Sequence, residues 1–132
     1  MQRQMPKSKI HRATVTDCDV DYIGSITIDT ELMAAADLLT NEQVHVWDVD
    51  NGQRFVTYAI DGEPGSGAMQ VNGAAAHLVE PGHLIIVASF GAYDEADLER
   101  YAPTVVHVDD ANRAVAVDSH PEVLLSGEAA LS

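Results

Sequence analysis

The sequence predicts a small, mainly β protein that closes into a barrel. Three observations carry that expectation. Apolar and polar residues alternate at period two along most of the chain, and helical periodicity is confined to two short stretches. At 132 residues the chain makes one domain, long enough to bury a core and too short for two. Aromatics are only 5%, so the core must be built from Val, Ile, Leu and Ala.

The elements follow in order. Ile10 to Val15 mixes β-branched and polar residues and reads as a strand. Tyr22 to Ile28 alternates too, with Gly24-Ser25 in its middle, where glycine marks a bulge or a close backbone approach. Asp29 or Thr30 caps a helix over Glu31–Leu39, with Asn41 as its stop. Val44–Asp50, Asn51-Gly52 and Gln53–Ile60 predict a hairpin on a type I′ turn. Regular arms would put Arg54, Val56 and Tyr58 on one face with Trp47, and Thr57 on the other. Gly62–Gly67 is a loop by composition, and Met69-Gln70-Val71 leads into Asn72-Gly73 and an alanine run. Pro81-Gly82 turns into a buried strand over His83–Phe90. A second short helix spans Asp94–Tyr101 and ends before Pro103. Val105–Val108 and Ala114–Val117 form a last strand pair. Residues 1–118 thus read as one domain and 119–132 as a loose C-terminal tail, the pattern fading beyond about His120.

Composition narrows the function. Seven Lys+Arg against 21 Asp+Glu give a net charge of −14, and a pI near 4.4 opposes binding to nucleic acid or an anionic membrane surface. No apolar run approaches the ~20 residues of a membrane helix, and no apolar secretion signal follows Met1-Gln2-Arg3-Gln4. Cys18 is the only cysteine, which excludes an internal disulfide and fits a reducing cytoplasm. Arg3, Lys7, Lys9 and Arg12 crowd the N-terminus. They read either as the soluble edge of a sheet or as a cationic pocket for an anionic ligand.

Three chemistries can be weighed. His11, His45, His77, His83, His107 and Cys18 show no paired metal-ligand spacing, and His120 lies near the tail, so no metal site is expected. Gly65-Ser66-Gly67 lacks a following Lys and a helix start, so it is no phosphate loop. Gly24-Ser25 is different in kind: a serine hydroxyl can attack the preceding carbonyl and turn the peptide into an ester, given a backbone that glycine's freedom permits. Alone the dipeptide says little, since Gly65-Ser66 repeats it and Ser25 can be a strand residue beside a bulge.

Four blocks in this order and spacing give it weight: Lys9–Thr16 (KIHRATVT), Tyr22–Asp29 (YIGSITID), Asn51–Ile60 (NGQRFVTYAI) and Val71–His77 (VNGAAAH). Together they resemble the pyruvoyl-dependent aspartate 1-decarboxylases, most of all the actinobacterial members, from about Met1 to Phe90.

The resemblance implies a six-stranded double-psi β-barrel with short flanking helices, assembled as a homotetramer with active sites between subunits. It implies self-cleavage between Gly24 and Ser25 into fragments 1–24 and 25–132, leaving a covalent pyruvoyl cofactor derived from Ser25. A ketone of that kind forms a Schiff base with the amine of L-aspartate and accepts the electrons released as CO2 leaves, giving β-alanine for pantothenate and coenzyme A synthesis. It implies Tyr58 as proton donor and Arg54 and Lys9 as partners of the substrate carboxylates. Thr57, Gly73, Ala74 and Ala75 match substrate-contacting positions, and Asn72, His11 and Tyr22 line the pyruvoyl region. Read without the resemblance, Asn72-Gly73 is a hairpin turn, Tyr58 a core tyrosine and Arg54 a solvated hairpin residue. Asp21 stands where many members have histidine, and Pro64 where arginine is common. The rival readings are an unprocessed, non-catalytic barrel and a pyruvoyl decarboxylase of another amino acid. Whether maturation needs a helper protein is left open by the sequence.

Overall fold

The computed structural model describes residues 1–120. Nine strands form one sheet: β1 (Arg3–Thr14), β2 (Asp17–Asp19), β3 (Ser25–Asp29), β4 (Gln43–Asp48), β5 (Arg54–Gly62), β6 (Met69–Asn72), β7 (Leu84–Tyr93), β8 (Thr104–Val108) and β9 (Ala114–Asp118). Their order across the sheet is β2-β6-β3-β5-β4-β7-β1-β8-β9. Most neighbours are antiparallel, but β3 runs parallel to β5, β2 to β6 and β1 to β8, so the chain crosses over rather than meandering. The sheet curls back on itself. Thr16, just past β1, donates its N–H to Met69 O at 3.0 Å and accepts from Met69 N on Oγ1 at 2.9 Å. The mainly β, barrel-like character thus matches the sequence reading, with nine strands where the resemblance implies six.

The interior is aliphatic, as the scarcity of aromatics requires. Ile10, Ile26, Ile28, Val44, Val46, Met69, Val71 and Ile85 are fully enclosed, and burying each such side chain is worth roughly 1.5–3 kcal/mol. They sit at alternate positions of their strands, so the period-two pattern is the core pattern.

Several local expectations are corrected. The first helix, α1, spans only Thr30–Ala35. Asp29 caps it by accepting from Glu31 N at 2.8 Å, as expected, but Asp37 adopts a left-handed φ of 54°. Leu38 N then bonds Met33 O and Asp37 N bonds Ala34 O, a Schellman ending that stops the helix well before Asn41. The second helix, α2, covers Glu95–Leu98 behind an Asp94/Asp97 capping box, and turns continue to Tyr101.

The β4–β5 hairpin exists in the regular register expected, Trp47 opposite Arg54 and Val44 opposite Thr57. Its connection is not a type I′ turn. Gly52 has φ +78° but Asn51 is not left-handed, whereas that turn needs both. Residues 49–53 instead wrap around Asp48, whose Oδ1 accepts from Asp50 N and Asn51 N. Asp48 Oδ2 lies 2.7 Å from His83 Nδ1, and this buried carboxylate fastens the loop to the start of β7.

Tyr22-Ile23-Gly24 is a turn preceding β3 rather than part of it. Asn72-Gly73 opens a short 3-10 helix over Gly73–His77, not a hairpin. Pro64 occupies a turn closed by Ser66 N to Glu63 O at 3.1 Å, a position whose φ proline already supplies. The tail after His120 lies outside the described residues.

Candidate active site

Ser25 is the first residue of β3 and is fully buried. Its Oγ donates to Ile23 O at 2.8 Å and accepts from Asn72 Nδ2 at 3.0 Å. Asn72, also fully buried, is the last residue of β6 and stands opposite Ser25 in the antiparallel β3–β6 pair. The next residue, Gly73, is left-handed at φ +73°, and a Cβ there would lie 2.6 Å from Gly24 Cα and 3.3 Å from Tyr22 O. Only glycine allows that approach. The left-handed glycine of the site is therefore Gly73. Gly24 has no left-handed φ and open space where a Cβ would sit, so the freedom expected of it is exercised across from it.

Ser25, Gly24, Tyr22, Asn72 and Gly73 thus form one cluster, with Ala74 and Ala75 following in the 3-10 helix. Tyr58 belongs beside them in the sheet: Ile26 pairs with Ala59 in the parallel β3–β5 ladder, and Ser25 and Tyr58 each precede that pair by one residue.

The cationic residues stand apart from this cluster. Arg54 begins β5, with its guanidinium 4.5 Å above the centre of the Trp47 ring. Stacking occupies a face of the guanidinium and leaves its N–H edge for a carboxylate. The recess around it, about 240 Å³, is lined by His45, Trp47, Arg54, Phe55 and Val56. Lys9 and His11 are on β1, separated from β5 by β4 and β7 in the sheet. A second recess, about 610 Å³, lies among Gln4, Glu42, Gln43, His45 and Phe90 and does not include Ser25. Of the N-terminal cations, Lys7 is held by Glu42 at 2.9 Å and by Asp37.

His11 is aimed by a bulge. The β1–β7 register shifts between Ile10 and Ala13, and Arg12 takes φ 60°, which turns His11 toward β8. Its ring meets that of His107 edge-on at 5.8 Å between centroids, and His107 Nε2 lies 2.9 Å from Asp118 Oδ2. Burial first, then the charges of Lys9, His107 and Arg12, push the His11 imidazole down to about 4, so it is neutral near pH 7 and cannot add to the cationic charge there.

Asp21 lies in the exposed loop before the Gly24–Ser25 bond, its N–H donating to Asp19 Oδ1 at 3.0 Å. Two residues of the serine cluster had no signal of their own in the sequence. Gln70 Nε2 donates to Asn72 Oδ1 at 2.7 Å, and Asn72 Nδ2 also reaches Thr27 Oγ1 at 3.0 Å. Period two puts Thr27 on the face of Ser25 and Gln70 on that of Asn72, but only the pairing of β3 with β6 joins the two faces.

The groups present fit a serine that becomes a covalent carbonyl. The hydroxyl is buried and hydrogen-bonded, and the backbone before it is pressed by a glycine where any Cβ would collide. Among the described residues no helix is long and apolar enough to cross a membrane. Residues 1–115 match the family model described as aspartate decarboxylase. An aspartate 1-decarboxylase of Mycolicibacterium smegmatis (strain ATCC 700084 / mc(2)155) is 56% identical over 129 residues, covering 98% of this chain and 95% of that protein.

Proposed function

The chain belongs to the aspartate decarboxylase family, and from that premise we propose that it converts L-aspartate to β-alanine and CO2 with a pyruvoyl group made from its own Ser25. The observation that carries this reading is the buried Ser25 hydroxyl, held by Asn72 directly after a Gly24 against which Gly73 is packed. The chain cuts itself at Gly24–Ser25, giving fragments 1–24 and 25–132.

When formed, the pyruvoyl group supplies a ketone that binds the substrate amine and draws off the electrons left by departing CO2. The chain's own residues do the rest. Arg54 presents a planar fork to one substrate carboxylate and Lys9 a compact second charge; on a protein of net charge −14 such local cations are needed to hold a dicarboxylate. Tyr58 delivers a proton to the carbon that has lost CO2. Thr57 and the backbone of Gly73, Ala74 and Ala75 orient the substrate, while His11 and Tyr22 line the region. Lys9 and His11 lie two strands beyond the hairpin that carries Arg54, and a homotetramer with sites shared between neighbouring subunits would bring them to a serine cluster. Strands β1 and β3 to β7, closed by the Thr16–Met69 contacts, are the candidates for the six strands of a double-psi barrel. The product serves pantothenate and coenzyme A synthesis in the cytoplasm.

Intact-mass spectrometry of freshly purified protein, sampled over time at 37 °C, tests the reading. Two fragments meeting at Gly24/Ser25, the larger carrying a borohydride-reducible carbonyl, are expected together with CO2 release from aspartate. Ser25→Ala must abolish both. Tyr58→Phe must cleave normally and turn over at least about tenfold more slowly. An uncut chain that still decarboxylates aspartate would refute the pyruvoyl reading.

A further inference from the structure

We propose that Gln70 and Thr27 are positioning residues for self-cleavage: they turn the Asn72 carboxamide so that its N–H faces Ser25 Oγ, where it stabilises that oxygen as it leaves Cβ. The inference rests on the self-cleaving reading of Ser25.

The four residues form two facing pairs, Ser25 with Asn72 and Thr27 with Gln70, in adjacent positions of the β3–β6 ladder. Asn72 is fully enclosed, and its amide group has an assigned partner on each side. Oδ1 takes the Gln70 N–H at 2.7 Å, and Nδ2 reaches both Ser25 Oγ and Thr27 Oγ1 at 3.0 Å. A hydroxyl can donate or accept, so Ser25 and Thr27 alone would satisfy the amide in either orientation. A donor at residue 70 breaks that tie by claiming Oδ1. Thr27 then takes up the second amide hydrogen, and Ser25 keeps its own hydrogen on Ile23 O at 2.8 Å.

The chemistry shows where such an N–H acts. Ser25 Oγ attacks the Gly24 carbonyl carbon, the peptide C–N bond breaks, and the hydroxyl proton passes to the freed amine, leaving an ester. Water then takes the α-proton of residue 25. The C–H pair becomes the Cα=Cβ bond, and the Cβ–Oγ bond breaks with its pair moving onto Oγ, which departs as the Gly24 carboxylate. Hydration of the resulting dehydroalanine and loss of ammonia give the ketone. In the attack the electron pair of Oγ goes into the new C–O bond, whereas in the elimination the Cβ–Oγ pair stays on the departing oxygen, and a preset N–H pointing at that oxygen lowers the barrier there.

Gln70→Glu tests this by exchanging one NH2 for oxygen. A carboxylate can only accept, so the Asn72 NH2 turns toward residue 70 and Oδ1 toward Ser25. Self-cleavage followed by intact mass should slow about 100-fold, with the ester accumulating. A brief hydroxylamine pulse reads the ester directly, as a 1–24 hydroxamate released in excess over the parent, and a fold defect would not produce that species. Thr27→Val should show the same signature more weakly, and Thr27→Ser should restore the parent rate. If Gln70→Glu fails to fold, Gln70→Met, of equal length and without a donor, leaves the amide free to take either orientation, and the same trapped ester is expected with a smaller slowing. Parent-like cleavage in the folded variants, or slowing without trapped ester, overturns the proposal. A parent protein that never cleaves, alone or in a lysate of cells that make β-alanine from aspartate, refutes the reading beneath it instead.

Discussion

Replacing Gly73 by alanine should separate folding from self-processing. The substitution carries two costs. At φ +73° an L-residue loses roughly 1–2 kcal/mol relative to glycine. The new Cβ would also sit 2.6 Å from Gly24 Cα, a backbone atom that cannot swing aside, and restoring an ordinary contact of 3.4 Å requires about 0.8 Å of movement. That movement falls on the residue whose carbonyl Ser25 must attack. Displacing reacting groups by such a distance costs on the order of 100-fold in rate, or about 2.7 kcal/mol of barrier. The assay is intact mass against time at fixed temperature, with a melting curve on the same sample. Gly52→Ala is the control. Its φ is +78° but nothing lies within 4 Å of the new Cβ, so it should lose about 1 kcal/mol of stability and cleave at the parent rate. A folded Gly73→Ala protein cleaving within about twofold of the parent would show that the Gly24–Gly73 approach does not position the scissile bond.

Three further outcomes follow from other parts of the molecule. Asn112 is buried at φ 59°. It accepts from Thr14 N and donates to Thr14 O and Gly67 O, each at 2.8 Å, so Asn112→Ala should cost about 3–4 kcal/mol in urea unfolding; a loss under about 1 kcal/mol would contradict this clamp. The Asp48 hydrogen bond, against the opposing effect of burial and helped by the charges of Asp48, Asp50 and Glu80, raises the His83 pKa. That group therefore stabilises the fold below its ordinary value of 6.5, and the contribution fades as pH rises through the raised value. In Asp48→Asn the His83 ring should titrate lower by NMR, and an unmoved midpoint would exclude Asp48 as the cause. His11 behaves oppositely. Its folded value of about 4 lies below the ordinary 6.5, so the unfolded chain binds more protons between them and stability falls as pH drops through that window. For a half-buried ring this amounts to about 1 kcal/mol, and His11→Gln should remove that part of the pH dependence of the urea midpoint; an unchanged slope would refute it.

Much of the local architecture is legible from neighbouring residues. Alternation marks the strands because one face of each is packed into an aliphatic core, and Asp29 and Asp94 cap helices where short acidic side chains reach free N–H groups. The regular β4–β5 register, and with it Arg54 beside Trp47, follows from two alternating arms close in sequence. Misreadings arose where a single dihedral decides. Asp37 enters the left-handed region and ends α1 early, whereas Asn51 does not and the expected turn becomes a loop around Asp48.

The candidate site divides the same way. By itself the sequence determined a mainly β chain with a scissile-looking Gly24-Ser25, a run of cations near the N-terminus and the residues that match a decarboxylase. Only the tertiary structure decided that Asn72 faces Ser25, that Gly73 is the glycine whose missing Cβ matters, and that Gln70 and Thr27 complete the network. It also assigned Lys7 to an ion pair with Glu42 and turned His11 onto His107 through a bulge. The reason is that capping and alternation act between residues a few positions apart, while β3 meets β6 across more than forty residues. Strand pairing at that distance is set by how the whole barrel closes, which no local pattern encodes.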